Sequence, residues 1–260
     1  MNQVMDVLLK RRSVRAYEER EIPSEVRAEI LKAILRAPTA GNLMLYSILD
    51  ITDQSLKDKL AVTCDNQSFI GRAPMVWIFL ADYQRWIDYF QACGVKEYCE
   101  QINLTMQMPQ ESDLFLACCD ALIAAQNAVI AAESFGIGSC YIGDIMEQYE
   151  VHKEMLGLPR FVFPVCMLVF GYPTPQQLER EYTPRFEDKF IVFENRYRRL
   201  NENEFVDMFA ERQGRLEKIK SMRERGIVNV GQATYVNKFG ADFSMEMRRS
   251  VRELLKQWLT

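Results

Sequence analysis

Helices that alternate with short apolar strands predict a sandwich of the α/β or α+β class, built on a sheet of about four or five strands. Three features of the sequence carry that expectation. Residues 75–81 and 161–170 are apolar runs with few polar interruptions, as buried sheet strands are. Stretches of helical period lie between and around them. The chain has 260 residues, 48% of them apolar, which is enough to enclose a substantial core.

Taken in order, residues 2–12 show helical periodicity, and a second helix follows over 24–36. Ser24 can cap that helix, whose apolar stripe is Val26, Ile30, Leu31, Ile34 and Leu35. Ala37-Pro38-Thr39-Ala40-Gly41-Asn42 then forms a loop of small residues, which lets backbone approach a ligand and offers hydroxyl and amide groups. Residues 45–52 read as a strand, 55–62 as a helix and 75–81 as a buried strand, with the polar cluster Asn66-Gln67-Ser68 between the last two. An aromatic-rich helix is expected over 83–103 and a polar connection over 107–113, before a long apolar helix that ends at Gly136. Asp120, Gln126 and Asn127 interrupt that helix, so it is expected to lie buried in protein and not in a membrane. Residues 137–142 form a short strand closed by Gly143, and the run 161–170 ends at Gly171-Tyr172-Pro173. Beyond Pro173 the chain turns polar, and charged helices over 201–225 and 241–259 have few apolar stripes. They are expected to be solvent-exposed, or to be arms that pack on a partner subunit. The organisation is therefore one domain over residues 1–200 with a helical extension over 201–260.

Composition narrows the chemistry. A net charge of −4, from 32 basic and 36 acidic side chains, argues against a broad nucleic-acid surface. The first apolar residues, Val4, Met5, Val7 and Leu8, are interrupted by Asp6 and followed by arginines, unlike a secretory leader. Seven scattered cysteines without C-x-x-C spacing suggest neither a disulfide framework nor a zinc site, and fit the reduced thiols of a cytoplasmic protein. The one histidine, His152, falls in the charged segment 147–156, where an exposed helix is expected. Familiar triads and multi-histidine metal sites are thereby disfavoured. Chemistry is expected from a cofactor or a few carboxylates, with no metal, and no side chain is singled out as catalytic.

One cluster stands out: Arg11-Arg12-Ser13-Val14-Arg15. Like charges at ~4 Å repel by about 1 kcal/mol even in water, so a fold that gathers them often has an anion to place there. Guanidinium forks match phosphate oxygens in pairs, and the serine hydroxyl adds an adaptable donor. A second reading stands beside it, in which Lys10, Arg11 and Arg12 complement the negative end of the first helix.

With Arg-Arg-Ser-Val-Arg after the first helix, Ala-Pro-Thr-Ala-Gly-Asn after the second, Tyr-Ile-Gly after the long helix and Pro-Arg late in the chain, the sequence resembles the FMN-dependent nitroreductase family over residues 1 to 200. It looks most like the larger branch of that family, NAD(P)H-dependent nitro, quinone and flavin reductases with a C-terminal arm, whose tails are similar to residues 235–244. The resemblance implies an α+β fold, a central, mostly antiparallel sheet flanked by helices, with two FMN molecules at the interface of a homodimer. Arg11, Arg12, Ser13 and Arg15 fall where the family binds the FMN phosphate and ribityl chain, and Arg185 where a late arginine closes on that phosphate. Pro38, Thr39, Ala40 and Asn42 match the loop that reaches the flavin from the other subunit. Asn66 and Gln67 match a polar pair beside the ring, and Tyr141, Ile142 and Gly143 a segment whose backbone runs along it. There are departures: Thr183 stands where the larger branch often has lysine, and Arg11 where histidine is common, which would restore the charge.

What the resemblance implies for function is hydride transfer from NAD(P)H to FMN, then reduction of a nitroaromatic, quinone or flavin acceptor in the same pocket, with ping-pong kinetics. Other FMN reactions on the same fold, such as reductive dehalogenation or flavin breakdown, and a non-catalytic flavin-binding protein remain open alternatives.

Overall fold

In the computed structural model, which describes residues 2–259, four strands form one antiparallel sheet in the order β1-β2-β4-β3. These are β1 (Tyr46–Asp50), β2 (Met75–Asp82), β3 (Gly138–Ile142) and β4 (Val162–Gly171). Every residue of the two central strands, β2 and β4, is buried, because both faces of the sheet are covered; this is why they read as continuous apolar runs and not as alternation. Their register shifts at Phe79/Leu80, opposite Cys166 and Pro164. A bulge there accommodates Pro164, which has no N–H to give the ladder.

Alternate residues of β2 feed two core layers. Trp77 and Phe79 face one way, with Phe163, Leu168 and Phe170 of β4, and Val76, Ile78 and Leu80 face the other, with Met167 and Val169. The first layer is closed by α2 (Ser24–Ile34) and by α6 (Glu111–Ser134), whose Ala117, Ala121, Ala124, Ala125 and Ala128 let the helix lie close to the sheet. The second is closed by α3 (Gln54–Thr63) through Leu60, with Ile70 and Ile145. Further helices up to residue 180 are α1 (Gln3–Lys10), α4 (Gln84–Ala92), α5 (Val95–Gln101), α7 (Tyr149–Leu156) and α8 (Pro175–Glu179).

Several expectations are corrected. The 83–103 helix is two helices, divided at Gly94, whose φ of 65° is left-handed. Ser24 does not cap α2: Pro23 holds the cap position, and the Ser24 hydroxyl donates to Glu25 at 3.3 Å. α6 begins earlier than expected, with a capping box between Gln110 and Asp113. It is long and apolar enough to cross a membrane, yet its alanine face is core. Its other face is not buried in the chain, and Phe115 is 71% exposed, with Leu116, Leu122 and Ile123 also exposed. His152 is fully buried, held between Ile145 O at 2.9 Å and Thr63 Oγ1 at 2.8 Å, and burial pushes its pKa down.

The chain divides into two compact units, residues 2–180 with 246–259, and residues 181–245. The second contains α9 (Glu202–Leu216), α10 (Lys220–Glu224) and α11 (Val230–Thr234), with Phe186 against Phe209 at 5.1 Å. The last helix, α12 (Asp242–Leu259), belongs to the first unit from Glu246 onward. Leu254 and Trp258 of α12 are buried there, Trp258 meeting Phe161 edge to face at 5.3 Å and donating Nε1–H to Gln110 O at 3.1 Å. Charges on the rest of α12 conceal that narrow stripe in the sequence.

Candidate functional site

The arginine segment is pinned to the free edge of β3. Val14 N donates to Ser139 O at 2.9 Å, Ser13 bridges Ser139 in parallel, and Tyr17 bridges Pro173. Such close passage needs Gly138 and Gly171: a Cβ on either would stand 2.3 Å from Val14 Cγ2 or 2.5 Å from Tyr17 Cδ1. Ser13 and Arg15 come within hydrogen-bonding reach of Cys140. Burial pushes the thiol of Cys140 and the phenol of Tyr141 up, and the charge of Arg11 opposes the rise in both. The segment therefore brings positive charge to Cys140 and Tyr141.

The arginines do different things. Arg12 Nη1 donates to the carbonyls of Leu178 at 2.5 Å, Arg180 at 2.7 Å and Gln177 at 3.4 Å. It thus complements the C-terminal end of α8, whereas the sequence offered the end of α1. Arg15 N donates to Gln177 Oε1 at 3.1 Å, and its guanidinium stands 5.8 Å from the Phe69 ring centre. Glu133, near the end of α6, has a buried Oε1 without a hydrogen-bond partner among the described residues. Burial pushes its carboxyl up to about 7, against the pull of Arg11 and Arg12.

The 66–67 loop meets the end of β3 through one side chain. Gln67 Nε2 donates to Asp144 Oδ2 at 2.7 Å and to Cys64 O at 2.9 Å, while Asn66, with φ of 53°, is exposed. Ile142 is buried; Tyr141 is partly exposed and donates to Gln126 Oε1 at 3.3 Å. A Cβ on Gly143 would meet nothing within 4 Å, so the backbone there faces open space. Four residues further on, Glu147 is only 4% exposed, with an Oε1 that has no hydrogen-bond partner among the described residues. Burial and then Asp144, with Asp65 and Glu246 beyond it, push this carboxyl up to about 8.

The small-residue loop is built elsewhere, on Asp120. This carboxylate is 2% exposed and accepts from the Thr39 hydroxyl, from Ala40 N at 3.0 Å and from Leu45 N at 3.1 Å. Thr39 Oγ1 also accepts from Met44 N at 2.9 Å, so its hydroxyl is turned inward, while Pro38 and Asn42 remain exposed. From the other side, Arg85 donates to the carbonyls of Met44 and Tyr46, and Trp86 Nε1 to Leu43 O at 2.9 Å. Asp120 and Glu133 both lie on α6. At 1.5 Å per residue, their spacing along the helix is about 20 Å. In one chain, then, the arginines lie near the C-terminal end of the helix and the 38–42 loop near its middle. Arg185 lies in the second unit, with Nη1 donating to Thr183 O at 3.3 Å.

The profile of the nitroreductase family matches residues 8–172. The chain belongs to the nitroreductase family. It is 31% identical to an oxygen-insensitive NADPH nitroreductase of Salmonella typhimurium over 202 residues, 78% of each chain, and 29% identical to an FMN reductase (NADPH) of Bacillus subtilis over 206 residues, 79% of this chain and 78% of that one. Among solved structures, NADPH:FMN oxidoreductase from Vibrio harveyi, complexed with NAD+, superposes with a TM-score of 0.75 at 25% identity, covering 98% of each chain. The expected α+β nitroreductase fold, an antiparallel sheet flanked by helices, is the one observed.

Within this nitroreductase-family chain, the carboxylates that organise the site escaped reading from sequence. Asp120 was visible only as an interruption of an apolar helix; a lone carboxylate on an alanine-rich face is the signal that it must find buried partners. Glu147 carries no such signal, since it lies among polar residues, and Glu133 reads as the polar end of the same apolar helix.

Proposed function

We propose that this protein is an FMN-dependent oxidoreductase that moves reducing equivalents from NAD(P)H to a nitroaromatic, quinone or flavin acceptor. The observation that carries the reading is the convergence of Arg11, Ser13 and Arg15 on the edge of β3, beside the open backbone of Gly143 and the tethered Gln67. The names of the relatives, an NADPH nitroreductase and an FMN reductase, support the same chemistry.

The residues present fit FMN. Arg11, Ser13 and Arg15 would hold the phosphate by charge-assisted hydrogen bonds. Gln67, Asn66 and the backbone of residues 141–143 would border the ring, and the missing Cβ at Gly143 leaves that backbone approachable. Hydride acceptance and electron delivery are the chemistry of the bound flavin; the protein positions it and sets the local charge.

The functional unit in this reading is a homodimer. Phe115, Leu116, Leu122 and Ile123 of α6 and Val4, Leu8 and Leu9 of α1 leave apolar surface exposed, of the kind subunit interfaces cover. The separation of about 20 Å along α6 is why the 38–42 loop, with Pro38, Thr39, Ala40 and Asn42, would serve the flavin of the second copy.

Purified protein should absorb as a flavoprotein, and NADH or NADPH should bleach it under anaerobic conditions, with an acceptor restoring the colour. Arg15→Ala should weaken FMN retention by about 10- to 100-fold, because it removes a charged hydrogen bond of about 1.5–3 kcal/mol. Full flavin content in that variant after dialysis would refute the pocket assignment.

A further inference from the structure

An open cavity of about 430 Å³ lies against the 42–44 turn, lined by Asn42, Leu43, Met44, Arg85, Trp86 and Tyr89. Its size is within the range of small-molecule sites. The wall is preorganised. The Trp86 indole is fixed by its bond to Leu43 O, meets Tyr89 edge to face at 5.9 Å and is backed by Phe90 at 5.6 Å. The Arg85 guanidinium is held by the carbonyls of Met44 and Tyr46. Asn42 and Met44 adopt left-handed φ of 59° and 49°, conformations that persist where their surroundings over-determine them. Here Asp120 holds the turn from within, and Arg85 and Trp86 hold it from outside.

Two electron-rich rings beside a fixed cation describe a ligand class. We propose that this cavity receives the aromatic body of the electron acceptor, a planar electron-poor arene that lies against Trp86 and Tyr89 with a nitro or quinone oxygen toward Arg85. The proposal rests on the reading of the protein as a reductase of such acceptors, with the 38–42 loop bordering a flavin. It makes Trp86 and Tyr89 specificity-determining residues, with no part in FMN binding or in the reaction with NAD(P)H. Tyr89, 59% exposed, can be changed without opening the core.

Fluorescence separates the cavity from the rest of the chain, because Trp77 and Trp258 are fully buried in the core and Trp86 is the indole that lines the cavity. Titration of purified holoprotein with 4-nitrobenzoate should quench this emission saturably. Tyr89→Ala should raise the half-saturating concentration about tenfold, Tyr89→Phe should leave it near that of the parent, and Trp86→Phe should abolish the saturable component. In turnover, Tyr89→Ala should raise KM about tenfold for nitroaromatic and quinone acceptors, and leave unchanged both KM for ferricyanide and the rate at which NADPH bleaches the flavin. Quenching that rises linearly without saturation, or an equal rise in KM for ferricyanide, overturns the assignment. Failure of NAD(P)H to bleach the parent protein would instead overturn the proposed function, and the quenching titration would still decide whether the cavity binds arenes.

Discussion

Asp120 organises the turn at 39–45 by accepting from Thr39, Ala40 N and Leu45 N in a site where water does not reach. Asp120→Ala would orphan these donors, each costing about 1–3 kcal/mol, so a total loss of about 3–5 kcal/mol is expected in urea denaturation. Asp120→Asn, which keeps the shape and one acceptor, should lose less. Glu147 makes a different prediction. Its carboxyl titrates near 8 in the folded chain, against an ordinary value of 4.5, so between these pH values the native state keeps a proton that the unfolded state has released. Stability from this group therefore falls as pH rises from about 4.5 to 8, and the penalty is complete above 8. Glu147→Gln should raise Tm above pH 8 and leave it near that of the parent below about pH 4.5; thermal melts across this range measure the difference.

Among the elements, β3 and the segment beside it form the base of the proposed cofactor site, and their contact tolerates no side chain at residue 138. Gly138→Ala would place a methyl 2.3 Å from Val14 Cγ2. Overpacking of this kind costs about 1–3 kcal/mol, and relief would come from moving Ser13 and Arg15 off the edge. A lower Tm together with weaker FMN binding, followed by flavin fluorescence, is expected; unchanged FMN affinity in a folded variant would mean that the segment holds no phosphate. α6 shows how one helix serves three surfaces: alanines against the sheet, Asp120 under a turn and large apolar residues facing outward. Its sequence is apolar almost throughout, so the periodicity that separates these faces is weak.

For the whole molecule, the proposed homodimer would cover the apolar outer face of α6. Phe115→Glu with Leu122→Glu places two charges on that face. Sedimentation velocity should show the double variant shifted from dimer to monomer, with loss of bound FMN in parallel. A monomeric variant that keeps its full flavin would show that each chain binds alone.

The strands and most helices were legible from the sequence because their signals are local: apolar runs at 75–81 and 161–170, and helical period at 2–12, 24–36 and 55–62, within two residues of the observed ends. The arginine cluster, the Gly-Asn loop and the Tyr-Ile-Gly segment were equally legible, since each is contiguous. Tertiary structure decided what contiguity cannot carry. It turned Thr39 inward to Asp120, set Arg12 against the carbonyls at the C-terminal end of α8, buried His152 between Ile145 and Thr63, and returned Trp258 to the core of the first unit. Each of these depends on groups far apart along the chain, whose hydrogen bonds and burial exist only once the sheet has brought them together.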